Sequence, residues 1–267
     1  MGAEHYLGAM NNSHLLAIDI GNTTTVVGFY EGERLVNFFR LASTHTRTPD
    51  EAGILIGHLQ NHRVQPKPAI GGVVICSVVP ALTPVYQDMA RRYFQCEAVV
   101  VSCDLRFKVK IKTDDPRQVG TDRIANAEAF VHKYVGAGII VDFGTATTFD
   151  VISAAGEYLG GAIAPGIETS SARLFERAAR LFKVKLEAPQ RVIGANTEDA
   201  LKSGLLYGTI GQVEGIIRRI TDELGEKPKI IATGGLASTI AAETEFIEVV
   251  DDTLTLFGLR VIYENNR

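Results

Sequence analysis

Residues 19–28, DIGNTTTVVG, place an acid, two glycines, an amide and three consecutive hydroxyls at the end of an apolar run. A turn of Gly, Asn and Thr exposes backbone N–H groups and hydroxyls, and glycine lets a ligand approach the backbone closely. Such a loop holds phosphate without carrying charge. It contains no lysine, and the chain has no GxxxxGK[ST], so it is not a P-loop. Something else must neutralise a polyphosphate, and a divalent metal oriented by Asp19 would do so. One Asp-x-Gly turn alone is also what an ordinary Asx-turn looks like. The pattern recurs, however, in DFGTATT at 142–148. The same spacing separates Asp19 from Asp142, Gly21 from Gly144, Thr24 from Thr147 and Thr25 from Thr148, and Gly32 meets Gly156 after one extra residue. This reads as a duplicated unit. Its two carboxylates, one per lobe, are expected to face each other across a cleft and orient Mg²⁺ or its waters.

Two further clusters complete a candidate site. ATGG at 232–235 follows an apolar strand, and paired glycines there let a flat ring lie against backbone. With two phosphate turns it suggests a nucleotide, with the phosphates between the lobes and adenine on this turn. GTDR at 120–123 opens a helical pattern with Asp122 in the first turn, where the macrodipole favours an anion. An ionised, unpaired Asp there can accept a hydroxyl proton. A low-pKa base is weak, but a loose phosphoryl-transfer transition state needs little help from it. An Asp at this position is equally common for helix stability alone. Arg123 either clamps a carboxylate or pairs with Asp122.

The elements that position these residues follow from periodicity. Leu15–Ile20 reads as a strand, followed by two strand-like runs joined at Glu31-Gly32. TPDEAGILIGHLQNH is a helix capped by Thr48, with Pro49 at its first position. GGVVICSVV is a buried strand, LTPVYQDMARRYF a helix and EAVVVS a strand. KVKIK at 108–112 reads as a solvent-facing strand edge. Thr121 is the expected N-cap of the helix GTDRIANAEAFVHKY. GIIVDFGTATTFDVI restarts the strand–turn–strand pattern. RLFERAARLF reads as an amphipathic helix with Leu174, Phe175, Ala178, Leu181 and Phe182 in a wide apolar stripe. In the long helix TEDALKSGLLYGTIGQVEGIIRRITDEL, Gly204, Gly208, Gly211 and Gly215 share a face, which reads as close helix packing. KIIATGG is a buried strand, and helices open at LASTIAAE and TLTLFGLRVIYENN.

Taken together, AIDIGNTTTVVG, VGTDRIANAEA, VDFGTATTFDVI, GGAIAPGI, IGANTEDALKSGLLYG and ATGGLA resemble, in order and spacing, the motifs of the type III pantothenate kinases. These belong to the acetate and sugar kinase, Hsp70 and actin superfamily. GTDR followed by DFGTATT and then GANT is specific in combination. The resemblance implies an α/β fold: a two-lobed, duplicated actin-like (ribonuclease H-like) architecture with a mixed sheet and flanking helices in each lobe. It divides the chain into a leader (1–14), an N-terminal lobe (15–136) and a C-terminal lobe (137–267). It also implies ATP-dependent phosphorylation of pantothenate, with Mg²⁺ and a monovalent cation, K⁺ or NH₄⁺, in a homodimer. On this basis Asp19, Ile20, Gly21, Asn22, Thr23, Thr24, Thr25 and Val26 bind the ATP phosphates. Thr145 adds a contact, and Gly234 and Gly235 take the nucleoside. The resemblance makes Asp142 the monovalent-cation ligand, which revises its Mg²⁺ reading. Gly120, Thr121, Asp122 and Arg123 match the pantothenate segment, with Asp122 as proton acceptor, and Thr197 matches a substrate-contacting Thr. Many family members carry a Tyr near the place of Thr113, and Phe182 stands where a Pro is common.

Composition bounds the alternatives. In 267 residues the hydrophobic share is 46%, the charged share 22% and the formal net charge −4, with no dense basic run. A nucleic-acid partner is disfavoured. No run of 18 apolar residues exists, so no membrane span is expected. Cys76, Cys96 and Cys103 form no pair motif and read as idle thiols in a reducing cytoplasm. MGAEHYLGAMNNSH reads as a disordered leader or an expression remnant outside the fold. The readings weighed against pantothenate phosphorylation are another small-molecule kinase, a phosphohydrolase of the same superfamily, and a nucleotide-sensing accessory factor for transcription.

Overall fold

The computed structural model describes residues 13–64, 69–177 and 182–267. The chain forms two compact units. In the first, β1 (Ser13–Ile20), β2 (Thr24–Glu31) and β3 (Arg34–Ala42) make an antiparallel meander. Helix α1 (Pro49–Arg63) follows, then β4 (Ala69–Ser77), α2 (Thr83–Met89) with a π-helical turn at Ala90–Phe94, and β5 (Ala98–Val100). The sheet order is β3-β2-β1-β4-β5, with β4 parallel to both β1 and β5. Helix α1 opens on a capping box: Thr48 Oγ1 accepts the Glu51 N–H, and the Glu51 carboxylate accepts the Thr48 N–H. Its buried Ala52 and Ile56 join Tyr86 and Met89 of α2 against Leu16, Ile18, Ile20, Val73 and Ile75 of the sheet. Each such large side chain contributes about 1.5–3 kcal/mol on burial.

Helix α3 (Thr121–Lys133) leads to the second unit. There β6 (Lys110–Ile111), β7 (Gly138–Phe143), β8 (Ala146–Ile152), β9 (Glu157–Pro165), α4 (Ile167–Arg177), α5 (Thr197–Leu224), β10 (Lys229–Gly234), α6 (Ala237–Ala241) and β11 (Val249–Val250) build a sheet of order β11-β10-β7-β8-β9-β6. Apart from the added β6, this repeats the first sheet strand for strand, so each unit carries the ribonuclease H-like sheet of the actin-like fold. Leu206, Ile210, Val213 and Ile217 of α5 pack with Ile139, Val141, Phe149 and Ala232 of the sheet. The final helix α7 (Leu254–Asn266) returns to the first unit, where Leu256, Leu259 and Ile262 cover Leu15, Ala17, Val74 and Cys76.

Several expectations change. The single break at 136 is replaced by a division in which Gly120–Ala125 and Thr255–Arg267 join the first unit, while Lys108–Val119 and Asn126–Leu254 form the second. The apolar face of α7 and the pairing of β6 with β9 are the reasons. Residues 1–12 of the expected leader lie outside the described residues, but Ser13 and His14 belong to β1, paired with Ala69 and Ile70. The expected RLFERAARLF helix is described to Arg177. Ala178 and Leu181 lie outside the described residues, and Phe182 is exposed outside any helix. The close packing expected at the α5 glycines is not present among the described residues. Gly204, Gly208 and Gly211 are exposed, with no neighbour within 4 Å of where a Cβ would stand.

The repeat itself shifts by one residue. Asp19 pairs with Val26 and Ile20 with Thr25, whereas Asp142 pairs with Thr148 and Phe143 with Thr147. The second hairpin loop is therefore one residue shorter. Sheet register matches Thr25 to Thr147, both fully buried, rather than Thr25 to Thr148.

Candidate active site

In the first unit, parallel pairing of β1 with β4 sets Asp19 beside Cys76 and Ile20 beside Ser77. The Cys76 thiol lies 3.4 Å from Asp19 Oδ1 and 3.4 Å from Thr121 Oγ1. Thr121 is the first residue of α3, not its cap. The Gly120 carbonyl accepts the first helical bond, from Ile124 N–H. The Thr121 hydroxyl instead donates to the Ser77 carbonyl and accepts the Ser77 N–H, both at 3.1 Å. Helix α3 is thus tied to the end of β4, and Asp122 stands in its first turn. Asp122 Oδ1 accepts the Arg123 N–H at 2.8 Å, so the carboxylate is not unpaired. A Cβ on Gly120 would lie 2.5 Å from that oxygen, so the glycine makes room for it.

The low pKa expected of Asp122 is not found either. Burial pushes its carboxyl above the ordinary aspartate range, and the backbone bond and the Arg123 guanidinium pull only part of the way back. Desolvation outweighs the helix dipole. Burial, then the charges of Asp19 and Asp122, push the Cys76 thiol well above its usual value, so it stays protonated.

The first turn closes through a bond from Gly21 N–H to the Thr24 carbonyl at 3.0 Å, leaving Asn22 and Thr23 exposed and Thr24 partly so. Two members of the expected ATP segment face elsewhere. Thr25 is buried with its hydroxyl 2.8 Å from Ser43 Oγ, and the Ile20 side chain lies in the core.

In the second unit, Asp142 ends β7 with its Oδ2 accepting from Asn126 Nδ2 at 3.2 Å. Asn126 is fully buried. Register places Thr233 beside Asp142 and Gly234 beside Phe143, so the expected nucleoside turn packs on the second Asp-x-Gly turn. Gly234 has φ +92, and a Cβ on it would stand 2.6 Å from both Asp142 Oδ1 and the Phe143 carbonyl. Gly235 N–H donates to the same carbonyl at 3.2 Å. Thr145 is exposed at the turn, and its carbonyl accepts from Gly166 N–H and Thr169 Oγ1. Thr197 is exposed at the first residue of α5, where Asn196 supplies the cap.

No three His, Cys, Asp or Glu side chains cluster as a metal cage among the described residues. The donors at each turn are one carboxylate with backbone carbonyls and hydroxyls. This set fits a hard cation that arrives with phosphate oxygens and water rather than one held by protein alone.

Sequence reasoning missed Cys76, Ser77 and Asn126. The signal was a polar pair, Cys-Ser, ending an apolar strand, and a lone amide inside RIANAEA. Neither could be read without knowing that β4 lies beside β1. The strands β9 and β11 also went unread, β9 because Gly160 and Gly161 look like breakers.

Residues 15–219 match the family profile described as Type III pantothenate kinase. A relative from Dehalococcoides mccartyi with that name is 46% identical over 254 residues, covering 95% of this chain and 98% of the relative. A second, from Brevibacillus brevis, is 47% identical over 253 residues, covering 95% and 99%. Among solved structures, a Campylobacter jejuni protein described as a candidate Baf family transcriptional activator matches with TM-score 0.58 at 22% identity, over 93% of this chain and 97% of that one. That likeness bears on fold alone.

Proposed function

The chain belongs to the type III pantothenate kinase family, so its reaction is ATP-dependent phosphorylation of pantothenate in coenzyme A biosynthesis, and from that premise we propose how its residues divide the work. Asp122 accepts the proton of the pantothenate hydroxyl. The hydroxyl oxygen bonds to the γ-phosphorus, the bond to the β,γ-bridging oxygen breaks, and ADP leaves. A carboxyl raised by burial is a better base at neutral pH than a solvated aspartate. The turn from Gly21 to Thr24 holds the phosphates through the polar groups of the exposed Asn22 and Thr23 and the partly exposed Thr24. Asp19 orients Mg²⁺, Thr145 adds an ATP contact, and Asp142 holds K⁺ or NH₄⁺; these ions, when bound, neutralise phosphate charge. Gly234 and Gly235 take the nucleoside. Gly120, Thr121, Arg123 and Thr197 contact pantothenate, with Thr121 acting through its backbone because Ser77 occupies its hydroxyl.

The observation that carries this reading is that one buried side chain, Cys76, meets both Asp19 Oδ1 and the hydroxyl of Thr121, the residue before Asp122, at 3.4 Å each. Phosphate turn and acceptor helix are therefore parts of one cluster. ADP release measured with and without pantothenate, in K⁺, NH₄⁺ and Na⁺ buffers of equal ionic strength, tests it. Pantothenate-dependent release that is fast in K⁺ or NH₄⁺ and slow in Na⁺ supports the assignment. Equal rates in all three return Asp142 to a Mg²⁺ role.

The protein works as a cytoplasmic homodimer joined through its second unit. Support comes from Leu159 and Ile163 of β9 and Leu174 of α4, all exposed, and from the bare glycine face of α5. No helix among the described residues is long and apolar enough to cross a membrane. Light scattering on Ile163→Glu measures the assembly. A wild-type monomer with full turnover removes both the dimer and any shared pocket.

A further inference from the structure

The sequence offers no role for Cys76, yet its thiol reaches both Asp19 of the phosphate turn and Thr121 at the start of the acceptor helix. We infer that Cys76 is a positioning residue for phosphoryl transfer: its S–H holds the Asp19 carboxylate in the orientation that Mg·ATP needs and registers it against the start of α3. The inference rests on the placement of Mg·ATP at the first turn.

The geometry is over-determined. Residues paired across parallel strands project to the same face, and Asp19 pairs with Cys76. The thiol is fully buried and reaches Asp19 Oδ1 and Thr121 Oγ1 at 3.4 Å each, an ordinary distance for sulfur. The Thr121 hydroxyl spends its one proton on the Ser77 carbonyl and one lone pair on the Ser77 N–H, so toward sulfur it has only acceptor capacity. Both oxygens facing Cys76 are acceptors, and the thiol is the donor between them. An S–H is a weak donor, but a carboxylate acceptor strengthens the bond. A carboxylate that must meet a cation of strict octahedral geometry gains from having one oxygen fixed in advance.

The experiment compares Cys76→Ala with Cys76→Ser, which both remove the sulfur, the first leaving no donor and the second an O–H in its place. Binding of a non-hydrolysable ATP analogue with Mg²⁺ is read by calorimetry, alongside kcat, the KM for each substrate and the thermal midpoint. Cys76→Ala is expected to weaken Mg·nucleotide binding about fivefold to tenfold, the size of one ordinary hydrogen bond, since the S–H is a weak donor even toward a carboxylate. Cys76→Ser stays within about threefold of wild type, and the KM for pantothenate moves least. In an Asp19→Asn background, Cys76→Ala should weaken binding no further, because its action passes through the carboxylate. Equal impairment of the Ala and Ser variants would assign the residue to packing and overturn the inference, as would wild-type binding by both. If Cys76→Ala does not fold, Cys76→Ser and Asp19→Asn/Cys76→Ser carry the test: a loss by Ser of tenfold or more, repeated in the Asn background, sinks it. If Asp19→Asn itself leaves Mg·nucleotide binding unchanged, the placement of Mg·ATP fails and takes the inference with it. If Asp19→Asn weakens binding and Cys76→Ala does not, only the role of Cys76 fails.

Discussion

The two Asp-x-Gly turns share a strand scaffold and have parted in everything around it. The first loop is longer by one residue and presents Asn22 and Thr23 to solvent. Its acid is held by a thiol that also touches the acceptor helix. The second loop is shorter, its acid is held by a buried amide, and glycine backbone closes over it: Gly234 beside the carboxylate, Gly166 on the Thr145 carbonyl. A wide turn that exposes an amide and a hydroxyl side chain suits a polyanion. A tight turn with carboxylate and carbonyl oxygens drawn close suits a bare cation. The two strand frames are alike, and loop length together with the residue beside each acid is what differs between them.

The comparison breaks most easily at the start of α3, which lies beside the first turn through Cys76, whereas Asn126 farther along the same helix holds the acid of the second. Asp122→Asn should lower kcat by about 10²-fold or more, the range of general-base contributions, while Mg·ATP still binds. In the wild type, kcat/KM should fall as pH drops through a pKa above the usual aspartate range, because the base must first lose the proton that burial helps it keep. Near wild-type turnover by Asp122→Asn removes it as the base.

Asp19→Asn should raise the KM for Mg·ATP about 10- to 100-fold and leave the K⁺ requirement alone, since charge-assisted contacts at the phosphates are lost. A mutant with unchanged Mg²⁺ and ATP titrations would erase the distinction between the turns. Gly234→Ala should cost about 2 kcal/mol or more, because its φ of +92 strains any side chain and the new Cβ strikes backbone at Phe143. Thermal unfolding would show it; an unaltered midpoint means the second turn is looser than it looks. Asp142→Asn should raise the K⁺ concentration for half-maximal rate about threefold to tenfold, more than it raises either substrate KM. Steady-state titration with K⁺ decides between this and a Mg²⁺ role. Thr48→Ala, in the α1 capping box away from both turns, should cost only about 1 kcal/mol. Its cation and nucleotide dependences should match the wild type, which separates lost stability from lost chemistry.

Much of this was legible from residue order. Both strand–turn–strand openings, the capping box at Thr48 and the glycine turn at 234–235 carry their own local chemistry, so they read directly. KVKIK announced an edge strand, and β6 is one. What did not read depends on neighbours far away in the chain. The state of Asp122 was misjudged because helix position is local and burial is not. The hydroxyl of Thr121 resembled a cap because caps are common, whereas its partner lies 44 residues back. The ungapped match of the two turns concealed a one-residue difference that only sheet register exposes. Cys76 passed as idle because its neighbours belong to two other elements.

The sheets also end differently at their margins. The second sheet stops on each side in a two-residue strand, β6 and β11; Lys110 stands exposed on the former and Lys112 just after it. Another chain finds little free backbone to pair with there. The first sheet ends in β3, nine residues long, relieved by Arg34 and Arg40 and by a bulge at Val36. Edges of that length recruit strands from other molecules when charge and bulges are removed. Replacing Arg34 and Arg40 with apolar residues should therefore make this protein aggregate along β3 on storage at high concentration, where the wild type stays dispersed.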